Sequence, residues 1–93
     1  MKIYNIFYES ILKAYRVNLG MDAFAQKNAR EFHSIEEIVG YFKTQDLNRK
    51  ANIKISDSAP KEDITRLFSD LHKLYPKAEL DTVNFVSHKS HKR

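Results

Sequence analysis

Apolar positions in the second half of the chain, residues 51–87, follow a strand–helix–strand pattern. Residues 52–56 alternate apolar and polar side chains, which is the period of a half-buried strand, and residues 82–86 alternate again. Between these segments Ser58 is predicted as a helix N-cap, Pro60 suits the first helical turn, and Pro76 ends the helix. The apolar residues of this predicted helix recur at helical spacing: Ile64, Leu67, Phe68, Leu71, Leu74 and Tyr75.

An earlier helix is predicted to begin at Ser34. Glu37 follows three residues later, which is the capping-box pattern, because each of these side chains can accept a hydrogen bond from a backbone N–H of the first turn. Residues 43–50 then form a polar connector that follows this helix. The apolar residues of this earlier helix are Ile35, Ile38, Val39 and Phe42.

The first thirty residues fit two kinds of secondary structure. Strict alternation of Tyr4, Ile6 and Tyr8 favours a strand, as do their aromatic and β-branched side chains. Two parallel strands alone make a poor sheet, so the strand–helix–strand unit needs partners that only this region can supply. A helical stripe is the alternative, formed by Tyr4, Phe7, Tyr8, Ile11, Leu12 and Tyr15. We favour three strands, near residues 2–8, 14–19 and 24–32.

These patterns together predict a small α+β domain with the element order β-β-β-α-β-α-β. We expect a mixed sheet of about four or five strands with two helices on one face. The C-terminal half would be a β-α-β unit with a right-handed crossover. Residues 1–87 would form one domain, and residues 88–93 a basic, flexible tail. Many unrelated domains share this layout, so the fold alone does not supply a function.

Composition narrows the class of protein. The 93 residues are 42% hydrophobic, which is enough for one small domain with a real core. The chain has no cysteine, so disulfides, zinc–thiolate sites and thiol nucleophiles are excluded. No apolar run approaches the roughly 20 residues that a membrane-spanning helix needs, and the N-terminus lacks the pattern of a signal peptide. We therefore expect a cytoplasmic protein that does not bind a membrane.

The positive charge is concentrated at the C-terminal end. The chain carries 16 basic and 12 acidic residues, for a net charge of +4, and three of the basic residues lie in the last six positions. The rest of the chain is therefore nearly neutral, whereas a nucleic-acid-binding domain usually spreads its cations over one face. The tail and the 43–50 connector would form a phosphate-binding patch if they lie close together. The candidate nucleic-acid-binding residues are Lys43, Arg49, Lys50, Lys89, Lys92 and Arg93.

The sequence offers no motif for catalysis, a cofactor or a metal. His88 and His91 are three residues apart, but no third ligand lies near them in the sequence, and we expect no metal site. His33 and His72 have no carboxylate or serine partner at a diagnostic spacing. The chain contains no glycine-rich phosphate loop and no nucleophile elbow. We therefore expect a protein that is not an enzyme and that needs no cofactor.

Tyrosines near the N-terminus are the remaining candidates for binding. Tyr4, Tyr8 and Tyr15 lie among the first fifteen residues, where core packing is the simpler explanation for them. On an open sheet face they would instead contact a protein partner, because tyrosine is enriched at interfaces. We expect a small module that binds another protein or a second copy of itself. This is a common format for accessory and inhibitor proteins of phages and mobile elements. Nucleic-acid association through the tail and connector is the alternative.

Overall fold

The structure is a computed structural model, and it describes residues 2–20 and 29–85. The element order is β-β-β-α-β-α-β, as the hydrophobic pattern predicts. None of the helices in these ranges is long and apolar enough to cross a bilayer. The elements are β1 (Lys2–Glu9), β2 (Ala14–Leu19), β3 (Arg30–Phe32), α1 (Ile35–Phe42), β4 (Ala51–Ser56), α2 (Lys61–Leu74) and β5 (Ala78–Val83).

The five strands form one mixed sheet in the order β3-β2-β1-β4-β5. β1 pairs with β2 in antiparallel register and with β4 in parallel register, and β5 continues the parallel half. β1, β4 and β5 therefore begin at one end of the sheet, near Lys2, Ala51 and Ala78, and finish at the other. β3 pairs with β2 and forms the opposite edge.

The N-terminal region forms strands rather than a helix. β1 and β2 lie where alternation predicts them. Of the predicted 24–32 strand, residues 30–32 form β3, residue 29 is not in a strand, and residues 24–28 lie outside the described residues. The turn between β1 and β2 contains neither glycine nor asparagine. Lys13 supplies its left-handed conformation instead, with φ of 51°. Tertiary pairing has therefore overridden the helical spacing of these side chains.

Both helices cover the sheet face that carries the alternating apolar side chains. Ile6 pairs with Val17 on one side and with Ile55 on the other, and all three are buried. Aliphatic and aromatic side chains of both helices pack against these residues and complete the core. The main helical contributions to the core are Ile35, Ile38 and Phe42 from α1 and Leu67 and Leu71 from α2.

Ser34 caps α1 in a variant of the predicted capping box. Its hydroxyl oxygen accepts a hydrogen bond from the backbone N–H of Glu37, at 3.1 Å. The Glu37 carboxylate reaches back to the backbone N–H of His33, at 2.8 Å, and not to that of Ser34. The prediction for the start of this helix is therefore confirmed, with the reciprocal bond shifted by one residue.

The prediction that Ser58 caps the second helix is wrong. α2 has Pro60 at its N-cap position, where no side chain makes a capping hydrogen bond. The Ser58 hydroxyl lies 2.7 Å from the Ser56 hydroxyl, which also accepts a hydrogen bond from the Ser58 N–H. Ser58 therefore belongs to the turn that leaves β4, because serine competes for local backbone partners in turns.

The last strand begins earlier than its alternation predicts. β5 spans Ala78–Val83 and not 82–86, because Ala78 donates to the Tyr75 carbonyl in a short turn directly after α2. Asn84 and Phe85 lie beyond the strand, and residues 86 and 87 lie outside the described ranges. Phe85 turns inward and packs on Phe7 of β1, with ring centroids 4.4 Å apart.

The second sheet face is partly buried as a result. Phe85 is only 7% exposed, and it lies on this face with Phe7. Asn5 and Asn18 are also buried there, where Asn5 Nδ2 donates to Asn18 Oδ1 at 3.0 Å and to the Gly20 carbonyl at 3.3 Å, as buried amides require hydrogen-bond partners. The face opposite the helices is therefore not a uniformly open surface.

The buried tyrosines make the free energy of unfolding depend on pH in the alkaline range. Burial raises the pKa of Tyr4 to about 12, and burial followed by the hydrogen bond to Asp63 raises the pKa of Tyr15 well above its ordinary value. The unfolded chain releases these protons near pH 10, whereas the folded protein retains them to higher pH. Their stabilisation is therefore complete below about pH 10 and is lost as the pH rises towards 12.

We expect the free energy of unfolding to fall between about pH 9 and pH 11, and to fall less in the Tyr4→Phe/Tyr15→Phe variant. The variant removes two phenol groups that hold their protons to higher pH in the folded state than in the unfolded state. Urea unfolding at both pH values measures this difference. An equal loss in the variant and the wild type would contradict the assignment.

Candidate docking edge

The predicted interface tyrosines lie on the helix-covered face. Tyr4 and Tyr15 are 0% and 3% exposed, so core packing, the simpler explanation, describes them. The Tyr4 hydroxyl donates to Gln45 Oε1 at 3.0 Å, and the Tyr15 hydroxyl donates to Asp63 Oδ2 at 2.5 Å. Tyr8 is half-buried beside Tyr15, with ring centroids 5.0 Å apart. These side chains hold the fold together and offer no open aromatic surface.

Two of the connector cations lie at the amino ends of the parallel strands. Arg49 and Lys50 directly precede β4 there and are exposed, and Lys43, directly after α1, is exposed as well. The backbone N–H of Lys2 donates to the Lys50 carbonyl, and Lys77 Nζ donates to the Asn48 carbonyl at 3.2 Å. The structure thus adds two lysines to this end of the sheet that the linear sequence does not place there. Lys89, Lys92 and Arg93 lie outside the described residues.

The histidines are on the surface. His33 is exposed, and its Nε2 lies 3.3 Å from Glu31 Oε2 in an ion pair that forms only if the imidazole is protonated. His72 is exposed on α2. Within residues 2–20 and 29–85, no group of three or more His, Asp or Glu side chains is arranged to hold a metal ion.

The two edges of the sheet differ in length. β3 is only three residues long, and a short edge strand gives an incoming strand little to pair with. β5 is six residues long, and no strand in the described part of the chain pairs with its outer side. Such an edge is the surface on which another chain can add a strand.

Backbone groups of β5 alternate between β4 and the open side. The Val83 carbonyl accepts a hydrogen bond from Asp57 N–H at the end of β4, so Val83 points its backbone groups inward. The N–H and C=O groups of Leu80 and Thr82 must then point outward, because these groups alternate along a strand. The open edge thus presents donors and acceptors in the spacing that a strand requires.

A groove of about 500 Å³ runs between this edge and α2. Its apolar floor comes from Phe68 of α2 and from Ala78 and Leu80 of β5, and uncharged side chains form most of its walls. The groove therefore lies on the helix side of the place that an added strand would occupy. The remaining lining residues are Thr65, Ser69 and His72, all on α2.

Two carboxylates line the other side of the same edge. Glu79 and Asp81 are exposed and alternate with Leu80, so they lie on the sheet face opposite the groove. Lys54 of β4 is the register partner of Asp81, and Asn52 is that of Glu79. Neither carboxylate makes an ion pair with any cation among the described residues.

Sequence reasoning missed this edge because it placed the last strand too late. The signal was the alternation of residues 78–83, in which acids at 79 and 81 flank a leucine. Charges on an exposed edge strand are a common protection against unwanted pairing. Glu79 and Asp81 are edge residues because β5 is the last strand in the sheet order, and this position cannot be read from the sequence.

Comparisons with protein-family models, curated proteins and solved structures found no match to this chain. Functional inference therefore rests on the geometry of the molecule. Besides the β5 edge, the hairpin turn exposes two large apolar side chains, Ile11 at 93% and Leu12 at 56%. This hairpin tip is remote in the sheet order from β5 and provides a matched control surface.

We expect the amide protons of Leu80 and Thr82 to exchange with solvent much faster than those of Ile53 and Ile55. The first pair points to the open edge, whereas the second pair lies in a strand that is paired on both sides. Hydrogen exchange followed by NMR measures each amide. Equal protection of both pairs would show that the edge is covered in the free protein.

Proposed function

We propose that this protein is a small protein-binding module that docks an extended segment of its partner along β5. The observation that supports it is the coincidence of a six-residue open edge with an apolar groove beside it. Strand addition of this type gains affinity from main-chain hydrogen bonds and specificity from alternate side chains. A module of this size and format suits an accessory or inhibitor protein.

The edge supplies the affinity. Leu80 and Thr82 direct their backbone groups outward, so an added strand can pair with both residues. The rest of the sheet does not have to move, because β4 already satisfies the inward groups of β5. The conformational cost of docking on a preformed edge therefore falls mainly on the partner segment, which must become ordered.

The groove supplies the specificity. Every second side chain of an added strand would point towards α2, where Phe68 and Leu80 offer an apolar surface. The Ser69 and Thr65 hydroxyls at the wall leave room for an aliphatic side chain without burying a charge. A partner with an aliphatic residue at alternate positions fits this arrangement best.

We expect the Thr82→Pro substitution to weaken binding of docked segments by about tenfold or more. Proline removes an outward N–H and obstructs the edge, yet the ladder to β4 does not use that N–H. A library of random peptides displayed on phage, selected on the wild-type protein, supplies the ligands, and fluorescence anisotropy measures their affinities. Thr82→Ala is the matched control and should bind as the wild type does.

Ile11→Ser at the hairpin tip is the second control, since it changes an exposed apolar surface away from β5. Peptides that bind Thr82→Pro as tightly as the wild type would contradict docking at β5. So would peptides that lose affinity for Ile11→Ser instead, because they would place the binding surface at the hairpin. A melting temperature within a few degrees of the wild type confirms that each variant is folded.

Nucleic-acid association is the second candidate, and the clustering of cations at the amino ends of the parallel strands favours it. Lys2 and Lys77 join Arg49 and Lys50 there through contacts between backbone and side-chain atoms. Such a cluster would contact phosphates without reading sequence. The tail residues of this candidate, Lys89, Lys92 and Arg93, lie outside the described residues, so the support comes from the connector and the two lysines beside it.

We expect Lys50→Glu to lower affinity for a fluorescein-labelled mixed-sequence DNA by about tenfold at low salt if this candidate is correct. Lys61→Glu changes the same charge at the start of α2 and is the matched control. Deletion of residues 88–93 tests the tail separately. Equal affinities for Lys50→Glu and Lys61→Glu would count against the cluster, and binding that ignores salt would exclude phosphate contacts altogether.

A further inference from the structure

We infer that the segment docked on β5 carries two cationic side chains that flank an apolar one, in the order basic–apolar–basic. This inference rests on the proposed function, since it specifies the chemistry of the partner segment. It comes from the two faces of a single edge, one lined by an apolar groove and the other by Glu79 and Asp81.

Alternation along an added strand links the two faces. When one of its side chains points into the groove at Leu80, its neighbours on either side must point to the opposite face. There they meet the positions of Glu79 and Asp81, which pair across the sheet with Asn52 and Lys54. The pattern of the edge is thus acid–apolar–acid, and its complement is basic–apolar–basic.

Among the described residues, the two carboxylates have no competing cationic partner. Neither takes part in an ion pair within the parts of the chain that are described, and both are exposed. Lys54 lies opposite Asp81 on the inner side and offsets part of its charge, while Glu79 lies opposite the neutral Asn52. The edge remains net negative on this face, and opposite charges across neighbouring strands are stabilising.

A second copy of this chain is a poor occupant of the same edge. Two copies of β5 related by a two-fold axis through the sheet pair in antiparallel register about one residue. A register centred on Leu80 places Glu79 opposite the partner copy's Asp81 twice, and a register centred on Asp81 places that residue opposite itself. Like charges directly opposite each other are destabilising, so both extended registers are disfavoured.

The test compares two short peptides on the isotopically labelled full-length protein. One peptide alternates Val and Lys, and the matched peptide alternates Val and Glu, with about seven residues each. Amide chemical shifts report both the place of binding and the affinity. The protein is used as the wild type, as the charge-reversed Glu79→Lys/Asp81→Lys variant, and as the neutral Glu79→Gln/Asp81→Asn variant.

We expect the wild type to bind the Lys peptide about tenfold more tightly than the Glu peptide, with shifts at Leu80, Thr82 and Ser69. The charge-reversed variant should show the opposite preference, and the neutral variant should show little preference. If the charge-reversed variant does not fold, the neutral variant still tests the inference, because it adds no positive charge next to Lys54.

Three results would overturn the inference, and they differ in what else they contradict. Equal affinities for the two peptides in wild-type and neutral proteins, with shifts along β5, would disprove the charge pattern and leave strand addition standing. If neither peptide shifts the amides of β5, or if the shifts lie at the hairpin tip, docking at this edge is also wrong. Dimerisation of the wild type through β5 in the absence of peptide would likewise contradict the inference.

Discussion

The register of β1 between its two neighbours is the constraint on which the rest of the structure depends. Ile6 of β1 lies opposite Val17 of the antiparallel strand β2 on one side and opposite Ile55 of the parallel strand β4 on the other. A slip of one residue on either side would turn the buried side chains of that strand to the opposite face. β1 therefore joins the N-terminal strands to the β-α-β unit and fixes which face the helices cover.

Hydrogen bonds from tyrosine hydroxyl groups connect the sheet, the helices and the connector at the margins of the core. Tyr4 in β1 and Tyr15 in β2 donate to Gln45 and Asp63, which lie after α1 and within α2. Tyr75, at the end of α2, donates to the Arg49 carbonyl at 2.8 Å and so holds the connector. Each ring fills the core while its polar end reaches a partner at the edge, and this is how a buried tyrosine avoids an unsatisfied hydroxyl.

The sequence was sufficient for the order and type of the elements because hydrophobic periodicity reports which residues share a face. It also located the start of α1, since the Ser34 and Glu37 pair acts within one turn. It failed at Ser58 and at the start of β5, where short turns decide the boundary and local hydrogen bonds compete with helix and strand. The position of a strand in the sheet is a tertiary property, so the open edge of β5 did not follow from the pattern.

The parallel pairing of β1 with β4 has a consequence for how the chain reaches this structure. Lys2 pairs with Ala51, so the centre of the sheet joins segments that are separated by more than half of the chain. Contacts between residues so distant in sequence form late, because the loop between them must be closed before the pairing is gained. The β1–β2 hairpin is local and is marginal by itself in water. Folding of this small protein should therefore be limited by the encounter of its two halves, and synthesis of β4 on the ribosome sets the earliest moment at which β1 can gain its parallel neighbour.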